Sequence, residues 1–256
     1  MREIWIGTNW KMNKTVGEAE AYSVTLREFL ERKRTVLNIF IIPPYTALKR
    51  VCDLLKDSPV KVGAQNMHWE ERGAFTGEIS PLMIQDCGAE LVELGHSERR
   101  AEFGETDFTV NKKVLAALRH SLRPLVCVGE TALEREFEVT KEYVGRQVKI
   151  ALRNVSSHHV GNVIIAYEPV WAIGKKGVPA EPEYANAIQK LIRGVVAELY
   201  GGKITEHIPI LYGGSVNLKN ATLFVKQRDI DGLFVGRAAW EVGSFIELIQ
   251  RVEKVV

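Results

Sequence analysis

Short runs of consecutive apolar residues alternate along this chain with longer amphipathic stretches. The runs lie at residues 4–9, 36–42, 60–66, 90–94, 125–128, 162–167, 208–212 and 232–235. Segments such as IIAY and LFVG are apolar at successive positions, the pattern of parallel strands covered on both faces. Helix-like segments follow at 17–32, 46–55, 106–120, 139–152, 183–200, 218–225 and 245–252. Eight strands, each leading into a helix, match the size of one (β/α)8 barrel of the α/β class, a single domain over residues 1–256. A doubly wound open sheet is the alternative, but no glycine fingerprint for a dinucleotide follows the first strand. Nor does any low-complexity linker divide the chain.

A barrel of this type carries its chemistry just beyond the C-terminal ends of its strands. The residues there are Asn9-Trp10-Lys11, Gln65-Asn66, Gly95-His96-Ser97-Glu98, Cys127-Val128-Gly129-Glu130, Glu168, Gly213-Gly214-Ser215 and Gly236-Arg237. Charged and glycine-rich positions thus gather on one rim. Glu168 leaves an apolar strand and opens the stretch EPVWAIGKKGVPA, in which proline stiffens one end and glycine loosens the middle. A carboxylate beside such a loop can act as a base in a site that closes; a plain strand-to-helix connection is the simpler reading.

Lys11 on the inner rim needs a counter-charge, which Glu98 or a bound anion would provide. His96 precedes a helix start, where the cationic form is disfavoured, so it would stay neutral and donate a hydrogen bond; a core histidine bonded to backbone is the alternative. The glycine turns after strands seven and eight suit phosphate, because backbone N–H groups can approach an anion there and a following helix N-terminus adds its dipole. A base, a neutral imidazole, a lysine and a phosphate cradle together point to proton abstraction beside the carbonyl of a phosphorylated sugar.

Composition narrows this picture. The 34 Lys and Arg balance 32 Asp and Glu with the signs interspersed, which leaves no footprint for nucleic acid. The three cysteines, Cys52, Cys87 and Cys127, form no CxxC pair, and their odd number suits a reducing cytoplasm rather than a disulfide framework. Neither a signal-peptide pattern nor a stretch of membrane-spanning length is evident, so a membrane partner is not expected. His158 and His159 lack partners at ligand spacing; neither a metal nor a cofactor is expected.

The motifs NWKMNK, AQN, GAFTGEIS, LGHSERR, CVGE, AYEPVWAIG and YGGSV together resemble triosephosphate isomerase over nearly the whole chain. That family is itself the usual example of the TIM barrel, of the tuned site and of the closing loop. The resemblance implies Glu168 as base, His96 as electrophile and Lys11 as electrostatic partner, with Asn9 and Glu98 in support. It further implies backbone N–H groups of Gly174, Ser215, Gly236 and Arg237 on the substrate phosphate. The loop over residues 67–78 resembles the family's dimer loop, so a homodimer is implied, with Thr76 reaching into the neighbouring subunit's site.

Two departures stand out. In GLFVGRAAW, Arg237 replaces a usual second glycine and Trp240 stands where an aliphatic residue is usual. The loop tip reads Lys175-Lys176-Gly177-Val178-Pro179 in place of the usual Gly-Lys-Thr-Ala run. VGAQNMHWEERGAF and DGLFVGRAAW resemble the branch described as erythrulose-phosphate isomerase, which interconverts L-erythrulose 1-phosphate and D-erythrulose 4-phosphate. Arg237 is then either a solvated side chain or a bidentate phosphate ligand. The remaining alternatives are the glycolytic triose reaction, from dihydroxyacetone phosphate to D-glyceraldehyde 3-phosphate, and a barrel that binds a sugar phosphate without turning it over.

Overall fold

The computed structural model describes residues 2–174 and 177–256; Lys175 and Lys176, at the departing loop tip, lie outside the described residues. Eight strands close into a barrel in sequence order: β1 (Trp5–Asn9), β2 (Asn38–Ile42), β3 (Val60–Ala64), β4 (Leu91–Leu94), β5 (Arg123–Val128), β6 (Ile164–Tyr167), β7 (Ile210–Tyr212) and β8 (Gly232–Val235). All pair in parallel, and β8 returns to β1 in a register running from Trp5↔Gly232 to Thr8↔Val235. This closure leaves no sheet edge unpaired. The (β/α)8 barrel is therefore the architecture, and the open sheet is not.

Alternation along each strand separates two apolar layers. Trp5, Phe40, Ile42, Leu91, Leu125, Cys127, Ile164, Ala166, Leu211 and Phe234 fill the barrel interior. The residues between them, such as Ile6, Ile39, Val92, Val126 and Ile165, face outward into the larger core beneath the helices. Both faces of the sheet are thus covered, which is why the strands read as continuous apolar runs.

The surrounding helices are α1 (Val16–Arg32), α2 (Tyr45–Leu55), α3 (Pro81–Cys87), α4 (Ser97–Glu102), α5 (Asp107–Arg119), α6 (Ala132–Glu136), α7 (Thr140–Ala151), α8 (Pro182–Tyr200), α9 (Gly202–Thr205), α10 (Ala221–Val225) and α11 (Val242–Glu253). The longer ones follow the expected spans within a few residues. The shorter α3, α6 and α9 were not expected, because so few turns cannot display a 3.6-residue period, and of α4 only the start after His96 was. Their starts are written in caps instead: Ser80 and Thr131 accept hydrogen bonds from the N–H groups of Met83 and Leu133.

Two boundaries move for local reasons. The run at 162–167 becomes a strand only at Ile164, because Val160–Asn162 forms a 3-10 turn. The helix expected from residue 218 begins at Ala221, since the Asn217 and Asn220 side chains take the N–H groups of Lys219 and Asn217, both at 2.8 Å, into a turn. Among the described residues no helix is long and apolar enough to cross a membrane.

Candidate active site

The C-terminal rim of the barrel holds a cavity of about 680 Å³. Its lining includes Asn9, Lys11, His96, Glu98, Glu168 and Gly174, and on the opposite side Ser215, Gly236, Arg237 and Trp240. The residues expected in the chain's own site therefore converge; Thr76, expected in the neighbouring subunit's site, is exposed on the loop after β3 and is not among the cavity residues. In that loop the His68 ring stacks on both Trp69 and Phe75, each with centroids 4.2 Å apart.

Glu168 follows β6, and its backbone N–H donates to the Val128 carbonyl at 2.8 Å, which prolongs the β5–β6 ladder by one residue. Two glycines at the ends of neighbouring strands make room for it. A Cβ on Gly129 would lie 1.9 Å from the Glu168 carbonyl oxygen, and one on Gly213 would lie 2.7 Å from Glu168 Cγ. The carboxylate is thereby pressed into the cavity wall, 4% exposed. Its Oε2 has no hydrogen-bond partner among the described residues and lies 3.7 Å from His96 Nε2. A buried oxygen acceptor left open in this way is free to take a proton from a substrate.

His96 is the N-cap of α4, and its Nδ1 accepts the Glu98 N–H at 3.1 Å. A backbone N–H can only donate, so Nδ1 carries no hydrogen and the ring is the neutral tautomer with its proton on Nε2, facing Glu168.

Lys11 takes up a left-handed backbone conformation, φ 54°, unusual for a side-chain-bearing residue. Asn9 holds it there, accepting the Lys11 N–H on Oδ1 at 2.6 Å, while Gln65 Nε2 donates to the Lys11 carbonyl at 2.8 Å. The Lys11 ammonium pairs with Glu98 at 2.7 Å, and the Glu98 side chain is 52% exposed. A pair this wet contributes little, so the ammonium can be turned toward an anion at small cost.

The other end of the cavity offers mostly backbone. The N–H groups of Ser215 and Gly236 make no hydrogen bond among the described residues, whereas Ser215 Oγ donates to the Ala172 carbonyl at 2.6 Å and so ties the segment after Glu168 to the turn that follows β7. No helix follows Gly213-Gly214-Ser215 directly, because the Asn217–Asn220 turn intervenes; the anticipated dipole is absent at that turn. Beyond β8 a single 3-10 turn, Arg237–Ala239, follows Gly236. Arg237 is exposed at the cavity mouth and forms no ion pair among the described residues. Trp240 is bound inward: its indole N–H donates to the Asn9 carbonyl at 3.0 Å, linking the β8 loop to the Lys11 arm.

Two buried carboxyls escaped sequence reasoning. Glu130, named there only as a rim residue, accepts from the hydroxyls of Tyr167 and Tyr184 at 3.1 Å and from the Trp171 indole at 2.8 Å. Burial, with Glu130 next, pushes the Tyr167 hydroxyl far above its ordinary range, so it is a permanent donor. Glu93 on β4 is fully buried and accepts from Asn9 Nδ2 at 2.7 Å. One oxygen of Glu93, one nitrogen of His96 and one oxygen of Glu168 lie within 4.8 Å of one another. The signal for Glu93 was an acid inside an apolar strand; for Glu130, the aromatic donors scattered over three segments gave none.

Comparison with known proteins places these motifs. The profile of the family described as triosephosphate isomerase matches residues 4–252. The chain is 50% identical over 248 residues to the L-erythrulose-1-phosphate isomerase of Rhizobium rhizogenes, covering 96% of this chain and 94% of that protein. It is 47% identical over 254 residues to the protein of that name from Rhizobium meliloti, covering 99% and 98%. With the one from Brucella abortus it shares 46% over 252 residues, covering 98% and 97%.

Proposed function

This chain belongs to the triosephosphate isomerase family, and from that premise we propose that it isomerises L-erythrulose 1-phosphate to D-erythrulose 4-phosphate. Glu168 takes the proton from C3, the hydroxyl-bearing carbon beside the carbonyl. Negative charge then develops on the carbonyl oxygen, where the His96 Nε2–H and the Lys11 ammonium stabilise it as an enediolate. The proton of the C3 hydroxyl passes to the former carbonyl oxygen by way of His96 Nε2, Glu168 returns its own proton to C2, and the carbonyl is left at C3. Carbon, oxygen and electrons balance within the substrate, so the step needs no redox cofactor.

The observation that carries this reading is the open Glu168 Oε2 facing the neutral His96 ring at 3.7 Å, inside the cavity that Lys11 lines. The choice of a four-carbon substrate rests on the likeness to the rhizobial and Brucella proteins. The phosphate is assigned to the N–H groups of Gly174, Ser215, Gly236 and Arg237, with closure of the segment after Glu168 excluding water. The same reading takes the enzyme as a cytoplasmic homodimer, in which Thr76 of each subunit completes the other's site; an exposed loop that carries Phe75 at 44% exposure supports the pairing, and three free cysteines suit the compartment.

The test is kcat/KM on L-erythrulose 1-phosphate and on dihydroxyacetone phosphate with one purified preparation. A preference for the four-carbon ketose is expected. Preference for the triose would replace this substrate with the glycolytic one, and turnover of neither would leave a sugar-phosphate-binding barrel.

A further inference from the structure

Glu93 has no place in the chemistry described above, yet it stands directly behind it. β4 alternates, so Leu91 and Glu93 point to the same side, and Leu91 lies in the interior layer. The Glu93 side chain therefore enters the barrel one layer above Leu91, beside Cys127 of β5, and is 0% exposed. A carboxyl enclosed without an ion pair among the described residues is unfavourable there, and an apolar side chain would serve packing better. What Glu93 holds explains its presence.

Its Oε2 accepts from Asn9 Nδ2 and so holds the nitrogen end of the Asn9 amide, while the Lys11 N–H, which can only donate, requires the oxygen at the other end. With Nδ2 committed to Glu93, Oδ1 faces the Lys11 N–H at 2.6 Å and Gln65 Nε2 at 3.2 Å. Rotated by half a turn, the amide would set its own N–H groups against those two donors. The left-handed backbone of Lys11 depends on the Oδ1 contact, and the ammonium that meets the substrate depends on that backbone.

We propose that Glu93 is a positioning residue of the isomerase, its carboxyl, enclosed beside Glu168, holding the Asn9 amide and through it Lys11. The proposal rests on the isomerase reading above. The groups facing Glu93 are Glu168 from the end of β6, His96 from the end of β4, Lys11 from the end of β1 and the Cys127 thiol from β5. Two carboxyls so near each other in a closed interior do not both ionise readily, and the deeper one keeps its proton. Burial first and Glu168 second push the Glu93 carboxyl well above the usual carboxylate range, against the smaller opposing influence of Lys11 and Asn9.

The experiment measures kcat, KM and the pH profile of kcat/KM on L-erythrulose 1-phosphate, or on dihydroxyacetone phosphate if that is the better substrate. The parent enzyme is compared with Glu93→Leu, Glu93→Gln, Asn9→Ala and the double variant Asn9→Ala/Glu93→Leu. Loss of the acceptor in Glu93→Leu is expected to lower kcat by roughly 10- to 100-fold, the scale of a small misplacement of a reacting group, with KM little changed. Glu93→Gln, whose amide oxygen can still accept from Asn9, is expected to restore most of that loss. In the Asn9→Ala background the Glu93→Leu change is expected to cost less than about twofold, because its route is already cut.

Replacing an uncharged acid by an amide leaves the charge beside Glu168 unaltered, so the acid limb of Glu93→Gln stays where the parent's is. Had Glu93 been charged, its removal would ease ionisation of Glu168 and move that limb to lower pH. Parental kcat in Glu93→Leu, an undiminished cost in the Asn9→Ala background, or a limb displaced downward by more than about half a pH unit in Glu93→Gln would each overturn the proposal. The limb can be read even if Glu93→Leu does not fold. Failure of the isomerase reading is separate: it would appear in the parent, as turnover of neither ketose phosphate.

Discussion

Glu93 and Glu130 are both wholly buried carboxyls on neighbouring segments of the same barrel, and their surroundings are opposite. Glu130, two residues past β5, is ringed by donors: the Tyr167 hydroxyl reaches both its oxygens, and the Trp171 indole and Tyr184 hydroxyl reach Oε1. Glu93, inside β4, has one strong donor, Asn9 Nδ2, and one weak one, the Cys127 thiol at 3.7 Å. Donors replace the water that burial removes, and where they are few the carboxyl keeps its proton instead. Glu130 thus works as an anchor for the segment that follows Glu168, since two of its donors, Tyr167 and Trp171, flank Glu168 in the chain. Glu93 works through one amide. Equal burial says little about a carboxyl's role until its donors are counted.

The largest effect expected from this contrast is at the donor-rich site. Glu130→Leu would leave the buried Tyr167 hydroxyl without an acceptor and force the Trp171 and Tyr184 donors to seek water. A loss of about 2–4 kcal/mol in unfolding free energy is expected, on the scale of one fully buried and two partly exposed donors left unpaired. Urea denaturation checks it, through a lower midpoint at unchanged slope. A change within about 0.5 kcal/mol, as at an ordinary surface site, would show that the anchor is not stabilising and would erase the contrast.

The sequence carried the barrel and most of the rim, for different physical reasons. Strands covered on both faces must be apolar throughout, so IIAY and LFVG were legible as such, and eight of them left little choice of architecture. Lys11, His96 and Glu168 stood out because each is a charged or polar residue directly after such a run. Glu93 belonged to the same kind of signal, but it lay within a strand rather than after it, and a single acid in a four-residue run reads as a fluctuation. The donors to Glu130 come from positions 167, 171 and 184, and only folding shows that they meet. Trp240 was visible as a departure, whereas its hydrogen bond to the Asn9 carbonyl joins positions 231 apart in sequence.

A smaller effect should follow from thinning the ring of donors by one. Tyr184→Phe removes a hydroxyl that is partly exposed and shares Oε1 with two other donors. The expected loss is about 0.5–1 kcal/mol, the usual net worth of one hydrogen bond. Tyr167→Phe, at the enclosed hydroxyl that reaches both oxygens, should cost more in the same denaturation series. Equal losses would mean that Glu130 does not distinguish its donors by depth.

The smallest effect, and the one of opposite sign, is expected at Glu93. Its carboxyl is raised well above 4.5 by burial and by Glu168, so its contribution to stability is complete below about that pH and is lost as pH rises through the folded-state value. Glu93→Gln carries no such dependence and keeps an acceptor for Asn9. The difference in stability between variant and parent should therefore favour the variant increasingly from pH 5 to pH 8, with every kcal/mol read as about 2–4 °C in Tm for a chain of this size. Titrating groups away from this pair are common to both proteins and cancel in the difference, so the trend reports Glu93 together with its coupling to Glu168. A gap that stays flat across the range would mean that Glu93 ionises in the folded protein as easily as in the unfolded one. The two carboxyls would then differ in their donors alone, and Glu93 would need a cation beside it that Lys11, already paired with Glu98, would have to provide.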